Sequence, residues 1–186
     1  FRSAVQLSDY DDAQRNIALL RSYLFSTSTA QRGLGQAEHT SSVDLLGELV
    51  NAFLSDRADA RQVVIADYGH GKSHLALALA NYFGRAADSE EARTVLDKLS
   101  NALNDPAKAA RYRDFKESKG QFLLIRLRGD ITERLPAQFV SGLERGLAEH
   151  PDTRGTRLPF WYDQAENYLK NLSPEQKAKA DAFLAQ

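Results

Sequence analysis

One tract dominates the reading of this chain: VVIADYGHGKSHLALALANYF, residues 63–83. Val63, Val64 and Ile65 are β-branched, and a short continuous apolar run of this kind suits a strand covered on both faces. A small knot with Gly69 and Gly71 follows, then Lys72-Ser73. Leu75, Leu79 and Phe83 then recur at i, i+4 and i+8, a helical period, with Gly84 as a stop. Strand, glycine knot and helix in that order are the ingredients of an anion cradle.

The phosphate-binding loop, or Walker A pattern, is G-x-x-x-x-G-K-[ST]. The eight positions here are Ala66-Asp67-Tyr68-Gly69-His70-Gly71-Lys72-Ser73, with Ala66 in place of the first glycine. Successive backbone N–H groups must point inward to form the nest. Gly69 and Gly71 supply backbone freedom and close approach. Lys72 places an ammonium against the β- and γ-phosphates, and Ser73 offers a hydroxyl to Mg²⁺. The following helix aims its positive end at the anion. His70 and His74 invite a catalytic reading, but His70 occupies a loop position that points outward. His74 lies in the first helical turn, where packing or a local hydrogen bond accounts for it. The expected nucleotide contacts are Ala66, Gly69, His70, Gly71, Lys72, Ser73 and His74, with Ser73 also the metal ligand and no catalytic residue named. The expected cofactors are ATP and Mg²⁺.

Around this tract the chain reads mainly as helix. DDAQRNIALLRSYLF carries Ile17, Leu20 and Leu24 behind Asp11 and Asp12. SSVDLLGELVNAFLSD repeats the period through Val43, Leu46, Val50 and Phe53, and Ser41 with Asp44 resembles a capping box. DSEEARTVLDKLSNAL opens with acids. DPAKAARYRDFKESKG has Asp105 as N-cap, Pro106 at the first helical position and Gly120 as stop. QFLLIRL reads as a second strand, and Leu135, Phe139, Leu143 and Leu147 mark a helix. FWYDQAENYLKNL and SPEQKAKADAFL read as a helical pair, the second opened by Ser173-Pro174 with Gln176 at the capping-box position. Strands separated by helices predict an α/β fold, a P-loop NTPase-like parallel sheet. Its domains are a helical N-terminal appendage (1–60), a partial nucleotide-binding core (61–150) and a helical extension or insertion (151–186).

A second acidic motif is missing. P-loop motors place an Asp after a hydrophobic strand to hold the metal and polarise water. Arg126 follows FLLI instead, and Asp130 arrives only after RLRG. FLLIRLRGD therefore reads as an intervening strand, with the acidic strand expected beyond Gln186. The Arg128-Gly129-Asp130 tripeptide reads as coincidence. Arg111, Arg113, Arg154 and Arg157 form basic patches, but acids mixed among them favour a solvated surface over a nucleic-acid contact.

Composition narrows the rest. The 186 residues carry a net charge of −1, without cysteine or methionine. Disulfides and thiolate metal sites are excluded. No apolar run approaches the roughly 20 residues needed to span a bilayer, so a membrane is not expected. A cytoplasmic location is the expectation. The start at Phe1, the lack of methionine and the helix-like end are read as a piece of a longer polypeptide.

Tyr68 through His74, aromatic-Gly-x-Gly-Lys-Ser-His, resembles the junction in large bacterial phage-defence ATPases, those of phage-growth-limitation and BREX systems. FLLIRLRGD and the tract from LPFWYDQAENYLKNL onward are similar in style. The resemblance has useful force over residues 40–135. It implies ATP binding and hydrolysis within a multi-protein defence complex acting on phage DNA. The partners would be other subunits of that complex, with DNA reached only indirectly. Carry-over is limited to Gly69, Gly71 and Lys72 as cradle and Ser73 as magnesium ligand. Two rivals stand beside it: a small P-loop kinase, which lacks a visible lid or acceptor site, and a nucleotide-sensing scaffold that binds without turnover. A GTPase is disfavoured because no Asn-Lys-x-Asp guanine reader occurs. The isolated chain is expected to be a weak ATPase or inactive.

Overall fold

The computed structural model describes residues 5–27, 40–55, 62–65, 71–127, 134–154, 167 and 170–184. A 3-10 turn, Leu7–Asp11, leads into α1 (Ala13–Ser22), α2 (Ser42–Leu54), α3 (Lys72–Gly84), α4 (Glu90–Leu103), α5 (Pro106–Lys119), α6 (Leu135–Glu149) and α7 (Pro174–Leu184). Among the described residues there is no β-strand and no sheet. The expected parallel-sheet α/β fold is therefore corrected to an all-helical arrangement.

Local chemistry starts these helices where the sequence indicated. Asp12, Ser41, Ser89 and Asp105 each accept a first-turn backbone N–H of α1, α2, α4 and α5 respectively. Such caps satisfy donors that have no partner within the helix. Asp105 holds Ala107 N at 3.0 Å and Lys108 N at 3.1 Å, and these bonds keep its carboxyl below the ordinary carboxylate range. At α7, Ser173 N donates to the Gln176 side chain and Gln176 N to Ser173 Oγ, a reciprocal box.

The core joins α1 through α5. Leu20, Leu46, Val50, Ala78, Tyr82 and Leu99 are its most enclosed members, each at most 1% exposed. α4 lies against α1, α3 and α5. α3 is buried around much of its circumference: Ala78 and Tyr82 are sealed in this core, with Leu75, Leu79 and Phe83 partly covered against it, while Leu77 is sealed in a second cluster with Tyr10 and Ala80. Inside the core, Tyr82 donates its hydroxyl to the Tyr112 carbonyl at 2.8 Å.

Both expected strands are extended chain without a ladder. Residues 62–65 leave Val63 84% and Ile65 90% exposed, so that apolar run is not enclosed by neighbouring strands. Residues 121–127 meet helices instead. Phe122 N donates to the Phe83 carbonyl at the end of α3, at 2.9 Å. A Cβ on Gly84 would stand 2.9 Å from Leu124 Cδ2 and 3.0 Å from Tyr10 Oη. A Cβ on Gly146 of α6 would stand 2.8 Å from the Leu124 carbonyl oxygen. Gly84 is therefore needed for close approach, and α6 rests on the extended segment by a glycine face. An apolar run states that burial is required; it does not state which element supplies the cover.

The α6 face is also displaced from the expected stripe. Gln138, Gly142 and Gly146 are buried, whereas Leu135 is 65% and Phe139 47% exposed. His150 closes the contact. Its Nε2 donates to the Gln121 carbonyl at 2.8 Å, while Nδ1 accepts Asp152 N at 3.2 Å.

Arg126 has a structural reason to stand directly after FLLI. Its side chain is 6% exposed and donates to Asp11 at 2.7 Å and to Glu149 at 3.1 Å. Its guanidinium lies 4.3 Å from the Tyr10 ring centroid, and that of Arg85 lies 3.9 Å from the same ring. Cations over an aromatic face are attracted by its quadrupole. Burial pushes the Tyr10 hydroxyl up to about 12, against the lowering effect of the two arginines.

Candidate functional site

The start of α3 differs from those of α1, α2, α4 and α5 by its cap. Gly71 takes φ +77° and ψ 14°, the left-handed region, and no side chain caps the helix there. A Cβ at Gly71 would meet nothing within 4 Å, so the demand for glycine is set by backbone conformation alone. Its carbonyl accepts Leu75 N at 2.9 Å, which begins the helical ladder. The N-cap thus offers the first-turn N–H groups no side-chain acceptor of its own, unlike Asp12 of α1 or Ser41 of α2. This is the backbone arrangement that suits an external anion.

Lys72 and Ser73 are exposed in that first turn. Gly71, Lys72 and His74 line a cleft of about 700 Å³. The chain preceding α2 and its first turns supply another wall, including Thr40, Ser41, Leu45 and Glu48. The end of α1 and the residues after it contribute Ser22, Tyr23 and Leu24, and the extended segment contributes Val63 and Ile65. Among the described residues the lining combines hydroxyls, one lysine, one carboxylate and exposed apolar side chains, in a volume typical of small-molecule sites.

His74 is held by the end of α1. Nε2 donates to the Leu19 carbonyl at 2.7 Å. Its ring lies 4.9 Å from the Tyr23 ring at 58°. Tyr23 is buried, which raises its hydroxyl pKa against the lowering effect of a hydrogen bond with Ser42. Ser42 N in turn donates to Ser26 Oγ at 2.9 Å, and Ser26 N to Ser42 Oγ at 2.7 Å. The end of α1 is thus joined to the start of α3 through His74, and the chain after α1 is joined to the start of α2 through Ser26 and Ser42.

Of the residues expected from the sequence, Gly71, Lys72, Ser73 and His74 stand together here. Ala66, Asp67, Tyr68, Gly69 and His70 lie outside the described residues, as do Arg128, Gly129, Asp130 and Arg157. Arg111 is exposed and donates to the Asn51 side chain; Arg113 and Arg154 are exposed. The walls from α1 and α2 were not foreseen. Serine and glutamate on an amphipathic helix carry no local sign that a distant glycine turn will face them.

Mg²⁺ bound with a nucleotide takes most of its six oxygens from phosphate and water. A single hydroxyl such as that of Ser73 fits this role. Among the described residues no cluster of three or more His, Asp or Glu forms a separate metal site. Among the same residues no helix is long and apolar enough to cross a membrane.

No family model matches the chain, and neither a curated protein nor a solved structure matches it significantly.

Proposed function

We propose that this chain binds ATP with Mg²⁺ at the start of α3, as the nucleotide-binding module of a larger bacterial assembly of the phage-defence type. The observation that carries the binding reading is Gly71 in a left-handed cap directly before Lys72, on the wall of a cleft of about 700 Å³. The assembly and its defence role rest on the resemblance alone, carried chiefly by residues 68–74.

Each residue has a stated task. Gly71 allows phosphate to approach the backbone, and the first-turn N–H groups donate to it. Lys72 sets its ammonium against the terminal phosphates, and Ser73 directs its hydroxyl to the metal. Mg²⁺, when bound, would neutralise charge on the phosphates. The exposed Leu24, Val63 and Ile65 give the same cleft an apolar surface suited to a nucleobase, which favours a nucleotide over bare phosphate.

Calorimetry with ATP·Mg²⁺ on the wild type and Lys72→Ala tests the reading. The lysine is exposed, so its removal leaves the fold intact and removes most of the affinity. Equal affinities would sink the proposal. A second reading, a scaffold that binds without hydrolysis, is separated by phosphate release from a protein that binds ATP.

A further inference from the structure

The first turn of α3 needs an anchor. Its N-cap is a glycine without a capping side chain. Glycine also loses more backbone freedom on folding than other residues. A cradle built on a fraying turn would have to order itself each time an anion arrived, at a cost in affinity. His74, the third residue of α3, meets this need.

We propose that His74 is the positioning residue of this cradle, a strut that holds the first turn of α3 against the end of α1 so that Lys72 and the first-turn N–H groups keep their direction toward the cleft. The proposal rests on the nucleotide reading above for its ligand, and on three contacts for its mechanics. The Leu19 carbonyl lies in the last turn of α1, where carbonyls lack helical partners. It accepts His74 Nε2 at 2.7 Å and Ser22 Oγ at 2.8 Å. The Tyr23 ring, buried and 4.9 Å away, restrains the imidazole.

The geometry has a consequence for Lys72. It lies two residues before His74 on the same turn, so fixing the rotation of α3 at His74 fixes the direction in which Lys72 leaves the helix. The link is reciprocal. A ligand that orders the start of α3 also orders the Leu19 carbonyl and the chain around Tyr23. The end of α1 thereby senses whether the cradle is filled.

The test compares His74→Ala and His74→Gln with the wild type. The Gln amide places an N–H at a reach similar to Nε2 and restores the bond to Leu19. A third variant, Val95→Ala, opens the core on α4 away from the cleft and controls for lost stability. ATP·Mg²⁺ affinity is read by calorimetry, and amide exchange of residues 72–75 is read without ligand. The expected result is an affinity loss of about tenfold or more in His74→Ala, since small misplacements of a positioned group are costly. His74→Gln stays within about threefold and Val95→Ala within about twofold of wild type, the range of ordinary experimental context effects. Amide exchange at the start of α3 quickens in His74→Ala alone.

Wild-type affinity in His74→Ala overturns the proposal. So does a loss in His74→Gln equal to that in His74→Ala, which would mean that the imidazole itself touches ligand. A matching loss in Val95→Ala overturns it in favour of general stability. If the wild type fails to bind ATP, the nucleotide reading falls separately. Exchange then decides the strut: quickening in His74→Ala that Gln reverses upholds it, and unchanged exchange overturns it.

Discussion

The side-chain amides of Asn16 and Asn81 donate to each other, at 2.8 and 2.9 Å, in the buried contact between α1 and α3. Both residues are 0% exposed, and Asn81 Nδ2 also donates to the Leu77 carbonyl at 2.8 Å. A reciprocal pair of this kind satisfies polar groups that water cannot reach. Replacing one partner leaves the other buried and unmatched. Asn81→Leu is expected to cost about 2–3 kcal/mol. The double variant Asn16→Leu/Asn81→Leu is expected to cost no more than the worse single variant, a coupling of about 1–2 kcal/mol. Urea unfolding of the four proteins measures it; additive losses would show that the pair is not a unit.

Lys116 makes stability depend on alkaline pH. It is 0% exposed, donates to the Gly120 carbonyl at 2.8 Å and the Phe83 carbonyl at 3.2 Å, and burial lowers its pKa to about 8. Below that value both folded and unfolded chains hold the proton, and the cost of enclosing the charge is present in full. Between about pH 8 and pH 10 the folded state releases a proton that the unfolded state keeps, so stability rises with pH. Near pH 10 the buried tyrosines reverse the trend. Tyr10, Tyr82 and Tyr112 are all raised by burial, so the unfolded chain loses protons that the folded chain retains. Urea midpoints from pH 7 to 11 should therefore pass through a maximum near pH 10. The rise should be absent in Lys116→Met.

Gly146 tests the contact between α6 and residues 121–127. Gly146→Ala would set a methyl 2.8 Å from the Leu124 carbonyl oxygen, where backbone must yield. The expected loss is about 1–3 kcal/mol, the usual range for overpacking. Ala is the better helix former, so an exposed α6 position such as Glu144→Ala should change stability little. Thermal unfolding distinguishes the two. A neutral Gly146→Ala would show that α6 does not rest on the segment.

Glu48 places a carboxylate on the wall of the cleft that Lys72 lines. It opposes the negative charge of a nucleotide. Glu48→Gln should tighten metal-free ATP by about two- to fivefold at low salt, and the gain should shrink at 0.5 M salt as screening shortens to a few ångströms. A loss of Mg²⁺-dependent affinity in the same variant would instead make Glu48 a support for the metal's water.

ATP turnover by this chain should be slow even where binding is tight. Positioning phosphate lowers only part of the barrier, and the attacking water also needs orientation. Asp130, the only candidate acid after FLLI, stands four residues beyond Arg126. Phosphate release measured at saturating ATP·Mg²⁺ checks this. Rapid release abolished by Asp130→Asn would make FLLIRLRGD an acidic motif after all.

Local rules were enough for the beginnings and ends of helices, because those are decided within four residues of chain. Asp12, Ser41 with Asp44, Asp105 with Pro106, and Ser173 with Gln176 behave as their spacing indicated, since a cap needs only its own first turn. Gly71 and Lys72 belong to the same class: a positive φ before a helix is a local demand. What encloses an apolar run is not local. Val63, Val64 and Ile65 carry the β-branched signal of a buried strand, yet a strand exists only when another segment supplies hydrogen bonds beside it. Residues 121–127 carry the same signal, and their cover comes from Tyr10, the end of α3 and the glycine face of α6. The cleft is tertiary for the same reason. Ser22, Leu24 and Glu48 share it with Lys72 only after the core brings α1, α2 and α3 together. His74 shows both levels at once: its helical position was legible from the sequence, but its partner, a carbonyl 55 residues earlier in the chain, was decided by packing.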